Sequence, residues 1–173
     1  MFALQPEGVV AMSERSLIDN KKVLIVDDEP DVLETLVELL YMCDVVTAAN
    51  YEQAKELLET QHFDIAILDI MGVDGYGLLE IANENKVISV MLTAHALSPE
   101  SIVKSYQEGA ASYVPKDEMA NITTFLEDIL EAKEGGKNTW TRWFHRLGNY
   151  LDRKFGPDWQ KDDRDFWDKF MYY

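Results

Sequence analysis

Two runs in this chain, VLIV at residues 23–26 and IAIL at 65–68, are apolar at every position. Side chains alternate across a strand, so a strand apolar at consecutive positions needs cover on both faces. Three further β-rich runs lie at 45–48, 87–92 and 112–114. Between and after the runs, apolar residues recur at helical spacing: Val32, Leu33, Leu36, Val37 and Leu40; Ala54, Leu57 and Leu58; Leu78, Leu79 and Ala82; Ile102, Val103 and Tyr106; Ile122, Phe125, Leu126, Ile129 and Leu130. Five strands alternating with five helices predict an α/β, doubly wound parallel sheet joined by right-handed crossovers. The alternating region runs from about residue 21 to residue 134.

Charge narrows the function. The net charge of −16 is unevenly placed: residues 1–136 hold 8 Lys+Arg against 26 Asp+Glu, and residues 137–173 hold 8 Lys+Arg against 6 Asp. So acidic a body argues against nucleic acid as the main ligand, because phosphate backbones demand cationic surface. It is compatible with metal cations. Cys43 is the only cysteine, which excludes an internal disulfide and any cysteine-based metal site. There is no run of 18 apolar residues to span a membrane. Glu7 and Glu14 interrupt the first segment, and residues 1–20 read as a loosely ordered leader rather than a signal peptide. A cytoplasmic location is expected.

Ligands of open parallel sheets gather at the carboxyl ends of the strands, where the strand order reverses. Asp27, Asp28 and Glu29 follow the first predicted strand, Asp69 the third, Thr93 the fourth and Lys116 the fifth. Several carboxylates facing one cleft repel and require a counter-charge. Such an oxygen-rich cluster suits Mg²⁺, which keeps several waters and accepts phosphate oxygen. A carboxylate such as Asp69 can act as nucleophile towards phosphorus. Phosphoryl transfer then requires positioning and charge neutralisation, which Mg²⁺ and the Lys116 ammonium would provide.

The strings KKVLIVDDEPDVLETL, FDIAILDIMGVDGYGLLE, VMLTAHA and GAASYVPKD, in this order, resemble the receiver domains of two-component response regulators over residues 21–134. The resemblance implies a flavodoxin-like sheet of order 2-1-3-4-5. It implies a phosphoacceptor at Asp69 and metal binding by Asp27, Asp28, Asp69 and the backbone carbonyl of Met71. Thr93 would be the switch hydroxyl, Lys116 the cationic partner of the phosphoryl group and Tyr113 the aromatic switch. The donor would be a sensor histidine kinase or a histidine phosphotransfer protein. A downstream protein would read the face formed by the fourth helix, fifth strand and fifth helix, or the tail. Such a chain is not an enzyme towards other molecules, though it can hydrolyse its own phosphoryl group. His95, two residues after Thr93, and Met71, two after Asp69, are expected to set the lifetime of that group by controlling water access; an exposed, uninvolved His95 is the competing reading.

Two departures from the family pattern stand out. Asp74-Gly75 follow Asp69 at +5 and +6 rather than the usual +7 and +8, and the usual proline between them is missing. The third helix is therefore expected closer to the site. Lys116 is preceded by Pro115 and followed by Asp117, where the family has Lys-Pro with a cis bond. A cis bond to a non-proline residue costs roughly 2.5–4 kcal/mol, against about 0.5–1 for a bond to proline, so trans is expected.

Beyond Gly135-Gly136 the composition changes. Trp140, Trp143, Phe144, Leu147, Tyr150 and Leu151 share one helical face, and Pro157-Asp158 suits the start of a second helix. This helical extension, 137–173, holds all four tryptophans. Three readings stay open: packing on the receiver or on a second copy in a homodimer, binding a partner, or lying on a membrane surface. Asp162, Asp163, Asp165 and Asp168 argue against the last by repelling anionic lipid. A DNA-binding domain is not expected in so short and weakly charged a segment. Two other functions compete. A haloacid-dehalogenase-like phosphatase would carry a second Asp at the position of Met71. A scaffold acting without phosphorylation predicts no Mg²⁺-dependent labelling of Asp69.

Overall fold

The burial of VLIV and IAIL is complete: none of the eight residues exposes any surface. In the computed structural model, which describes residues 15–94 and 97–171 and only the backbone of Phe170 and Met171, they lie in β1 (Lys22–Val26) and β3 (Ile65–Asp69). With β2 (Asp44–Ala48), β4 (Ile88–Thr93) and β5 (Ser112–Pro115) they form one sheet of order β2-β1-β3-β4-β5, every pair parallel. The order reverses between β1 and β3, as predicted. The register pairs Val26 with Leu68, Asp69 with Leu92 and Thr93 with Pro115. The ends of four strands thus open on one rim.

Five helices cover the sheet: α1 (Pro30–Leu39), α2 (Tyr51–Thr60), α3 (Gly75–Glu84), α4 (Pro99–Gln107) and α5 (Ile122–Glu134). Their starts are written in local chemistry. Pro30 occupies the first turn of α1, where a missing N–H costs nothing. Asn50 caps α2 by accepting from the Gln53 N–H at 2.9 Å. Ser98 and Ser101 form a reciprocal capping box on α4. Asp74 starts α3 from a left-handed conformation, φ 52°, and accepts from the Gly77 N–H at 3.2 Å. Described peptide bonds are all trans, Lys116–Asp117 included.

The two sheet edges differ. On β2 only Ala48 is buried, whereas every residue of β5 is. The extension accounts for part of that difference. It forms α6 (Trp140–Phe155) and α7 (Arg164–Met171), and its aromatic face packs on the receiver. The Trp140 indole donates to the Ala110 carbonyl at 2.9 Å, Thr139 Oγ1 to the Ala111 carbonyl at 2.6 Å and the Trp143 indole to the Tyr113 carbonyl at 2.5 Å. Trp167 meets Trp159 edge-on at 4.6 Å, and Phe166 meets Tyr106 of α4 edge-on at 5.0 Å.

Two boundaries fall elsewhere than expected. The last helix starts at Arg164, not Pro157. Gly156 turns the chain at φ 83°, and the Trp159 indole, bonded to Asp152 at 2.7 Å, folds 157–160 back on α6. At the other end, residues 16–19 of the expected leader are at least half-buried. Ile18 is buried, its carbonyl lies 3.3 Å from Cys43 Sγ, and the Asn20 N–H donates to the Met42 carbonyl. Among the described residues no helix is long and apolar enough to cross a membrane.

Candidate functional site

Each acidic side chain on the rim has a local reason for its position. Asp27 follows β1 and is fully buried, one oxygen accepting the Glu29 N–H at 2.9 Å. Asp69 closes β3 and is also buried, while Asp28 is exposed. One carboxylate oxygen from each of the three lies within 4.8 Å of the others, a grouping that could hold a metal ion. Thr93, buried at the end of β4, and Lys116, just after β5, complete the rim. A cleft of about 350 Å³ opens over it, lined by Asp28, Glu29, Asp69, Met71, Gly72, Thr93 and Lys116.

Lys116 carries the positive charge of this cleft. Its Nζ lies 2.9 Å from Asp27 Oδ2, 2.8 Å from Glu29 Oε1 and 3.4 Å from Asp69 Oδ1. Burial alone would lower its pKa, but the three carboxylates outweigh burial and hold the ammonium charged well above the usual lysine range. Asp27 is shifted the other way. Burial raises its pKa, the Lys116 ammonium and the Glu29 amide oppose the rise, and the Asp69 charge adds to it. Asp27 Oδ2 is buried and faces the Lys116 ammonium at 2.9 Å.

Gly72 determines the shape of the seat. Its N–H donates to Asp69 Oδ2 at 3.1 Å. A Cβ there would lie 2.2 Å from Asp28 Oδ1 and 2.6 Å from Asp69 Oδ2, between the two carboxylates. The short loop after Asp69 brings the backbone this close, and only glycine allows it. The short loop is visible in the sequence, but nothing there marks Gly72. Glu29 likewise stands in the sequence only as part of an acidic string, although it is the nearest carboxylate to Lys116.

The remaining expected residues are spread over the rim and behind it. Met71 lines the cleft and is 67% exposed, so its side chain projects from the mouth. His95 lies outside the described residues. Tyr113 is fully buried behind the rim, its hydroxyl 2.7 Å from Ser101 Oγ. Burial pushes that phenol well above the usual tyrosine range, against the partial opposition of hydrogen bonds from its surroundings, Ser101 and Thr93 among them. Thr93 on the rim is thereby tied to Tyr113 behind it. Asp117, next to Lys116, faces the other way: its Oδ2 accepts from the Tyr150 hydroxyl at 3.3 Å and pairs with Lys154 at 3.3 Å, both on α6.

Comparison with known proteins points one way. A family model described as the response regulator receiver domain matches residues 23–127. The chain is 35% identical over 119 residues to a protein of Cyanophora paradoxa named a probable transcriptional regulator, ycf27, covering 63% of this chain and 49% of that one. It is 37% identical over 99 residues to the heme response regulator HssR of Staphylococcus aureus (strain Newman), covering 54% and 43%. The chain spans about half the length of the curated relatives it matches. Among solved structures it resembles a CheY-like response regulator receiver domain protein from Methanospirillum hungatei JF-1. The TM-score is 0.61 at 26% identity, covering 68% of this chain and 99% of that one. It also resembles the response regulator DrrB of Thermotoga maritima, with a TM-score of 0.57 at 27% identity, covering 69% and 55%. The family match ends before α6 begins.

Proposed function

Because the chain belongs to the family of response regulator receiver domains, we propose that it is a phosphoacceptor of a two-component system. A histidine kinase or histidine phosphotransfer protein would donate the phosphoryl group to Asp69. In the reaction, an Asp69 carboxylate oxygen attacks phosphorus, the phosphorus–nitrogen bond of the donor breaks, and the electron pair leaves with the imidazole. The observation that carries this reading is the convergence of Asp27, Asp28 and Asp69 within 4.8 Å, with the Lys116 ammonium 3.4 Å from Asp69.

The site suits Mg²⁺. Its donors are hard carboxylate oxygens within 4.8 Å of one another, and glycine at 72 leaves the space between Asp28 and Asp69 open. Asp27, Asp28, Asp69 and the Met71 carbonyl would hold the ion, which would supply charge neutralisation for the entering phosphoryl oxygens. The chain's own residues do the rest. Lys116 neutralises a further oxygen, the Thr93 hydroxyl donates a hydrogen bond to the bound group, and the Gly72 N–H keeps Asp69 oriented. His95 and Met71 would govern water entry and so the lifetime of the acyl phosphate. The hydrogen bond from Thr93 relays its movement to Tyr113, and through it to the face of α4, β5 and α5.

The output is contact with another protein. Three relatives bear the name of probable transcriptional regulator, which weighs slightly towards DNA, but about half or more of each lies outside the matched span. The strongly acidic body weighs against it.

Intact-mass spectrometry after incubation with Mg²⁺ and acetyl phosphate tests the reading. A gain of one phosphoryl group that disappears on chelation with EDTA is expected. No gain under any Mg²⁺ concentration would favour a scaffold that works without phosphorylation.

A further inference from the structure

The face formed by α4, β5 and α5 is an interaction surface that already has an occupant. Three indole or hydroxyl donors of the extension reach carbonyls of residues 110, 111 and 113. Tyr106 of α4 meets Trp140 edge-on at 5.6 Å. Arg146 clamps Asp128 of α5, with Nη2 3.0 Å from Oδ1, and Arg142 pairs with Glu131. At the far end, Tyr150 and Lys154 hold Asp117. The receiver side supplies acids and the α6 side supplies bases, so the two surfaces are complementary in charge as well as shape. Trp140, Trp143, Leu147 and Leu151 are at most 3% exposed. An aromatic, amphipathic helix with basic flanks is the ligand this face fits.

Occupancy of that face and chemistry at the rim share the same short piece of chain. Tyr113 meets Ser101 and Thr93 through its hydroxyl and Trp143 through its carbonyl. Lys116 meets Asp27, Glu29 and Asp69, and its neighbour Asp117 meets α6. A phosphoryl group on Asp69 would add charge beside Lys116 and draw the ammonium away from Asp27 and Glu29 towards Asp69. Asp117, the next residue, is held by Tyr150 and Lys154 of α6, so a shift at Lys116 would reach α6 across one peptide unit. Lys154–Asp117 is half exposed and contributes little. The Tyr150 hydroxyl and the Trp143–Tyr113 bond, one of them wholly buried, carry more of the coupling.

We propose that α6 and α7 are a latch: the chain's own tail occupies the α4–β5–α5 face while Asp69 is unmodified, and phosphorylation loosens it. The proposal rests on the phosphoacceptor reading above. Linkage makes the coupling reciprocal, so a docked tail also opposes phosphorylation. Loosening bares the face and the aromatic side of α6 together, which is the signal.

The test uses the full chain, Mg²⁺ and beryllofluoride as a phosphoryl mimic. Hydrogen exchange is followed in residues 140–155, and binding of the mimic at Asp69 is monitored by fluorine NMR. Exchange in α6 is expected to speed up about tenfold when the mimic binds. Tyr150→Phe keeps the ring and removes the hydroxyl held by Asp117. It should exchange faster in α6 at rest and bind the mimic about fivefold more tightly. Bound mimic with unchanged α6 exchange, or Tyr150→Phe with unchanged affinity, overturns the latch and leaves the phosphoacceptor reading standing. Absence of both mimic binding and phosphorylation at Asp69 overturns both.

Discussion

The Gly72 N–H donates to Asp69 Oδ2 at 3.1 Å, and a Cβ added at Gly72 would lie 2.6 Å from that same oxygen. The backbone thus orients the Asp69 carboxylate and leaves open the space beside it, where the proposed cation would sit. Gly72→Ala should weaken Mg²⁺ binding by about 10–100-fold, the range seen when a group that orients a ligand is lost. Isothermal titration with Mg²⁺ reads the change. Unaltered affinity would mean that the loop can withdraw and that the cation sits elsewhere.

Gly148 provides the contrast. It lies inside α6, and a Cβ there would meet nothing within 4 Å. Gly148→Ala should stabilise the folded chain by about 0.5–1 kcal/mol, because glycine loses more backbone freedom on folding than alanine does. Urea denaturation followed by tryptophan fluorescence measures it directly, since all four tryptophans lie in the extension. A destabilised variant would contradict the open surroundings described for this position.

The two arginines that reach Asp128 should differ. Asp128 is 7% exposed, and Arg146 is its closer partner. Arg146→Ala leaves a buried carboxylate short of its main counter-charge, at a cost of about 1–2 kcal/mol after allowance for the half-exposed guanidinium. Arg142 and Glu131 are both about half exposed, so Arg142→Ala should fall within the scatter of a denaturation curve. Equal losses from the two variants would show that burial is not what sets the strength of these pairs.

Cys43 should be a sluggish thiol. Burial raises its pKa from 9.0 to about 11, and the nearby Asp19 charge adds to the rise. At pH 8 its thiolate fraction falls about 100-fold below that of an ordinary cysteine, and the rate of alkylation falls with it. Below the unfolded thiol's pKa the neutral group costs nothing in either state. Stability is lost as pH rises from about 9 to about 11, where the unfolded chain ionises first. Iodoacetamide labelling across this range checks the reactivity; alkylation at the rate of a free thiol would refute the burial.

Much of the receiver was legible because its signals are local. VLIV and IAIL announce strands covered on both faces, and the strand-end positions of Asp27, Asp28, Asp69, Thr93 and Lys116 announce a shared rim. The order of the strands came from the family resemblance rather than from pattern. Gly72 was silent because a loop glycine has meaning only once the path of the loop is known. The Glu29–Lys116 pair spans 87 residues and depends on how β1 and β5 are placed. For the extension, periodicity showed that α6 has an apolar face but not what covers it. Pro157-Asp158 carries a genuine helix-start signal, overridden by the turn at Gly156 and the packing of Trp159 on Trp167. His95 and its pairing with Met71 stand as a sequence-based expectation. Comparing phosphoryl loss in His95→Ala and Met71→Ala with the parent chain decides it, and equal rates would discard the idea.

In the proposed function Asp69 itself receives the phosphoryl group. The most direct measurement is to incubate the full chain with Mg²⁺ and acetyl phosphate, reduce the acyl phosphate with borohydride, and map the modified residue by peptide mass spectrometry. Reduction is expected at Asp69 alone, and none in Asp69→Asn. Modification at another carboxylate, or a chain left unmodified while Mg²⁺ binds, would contradict it.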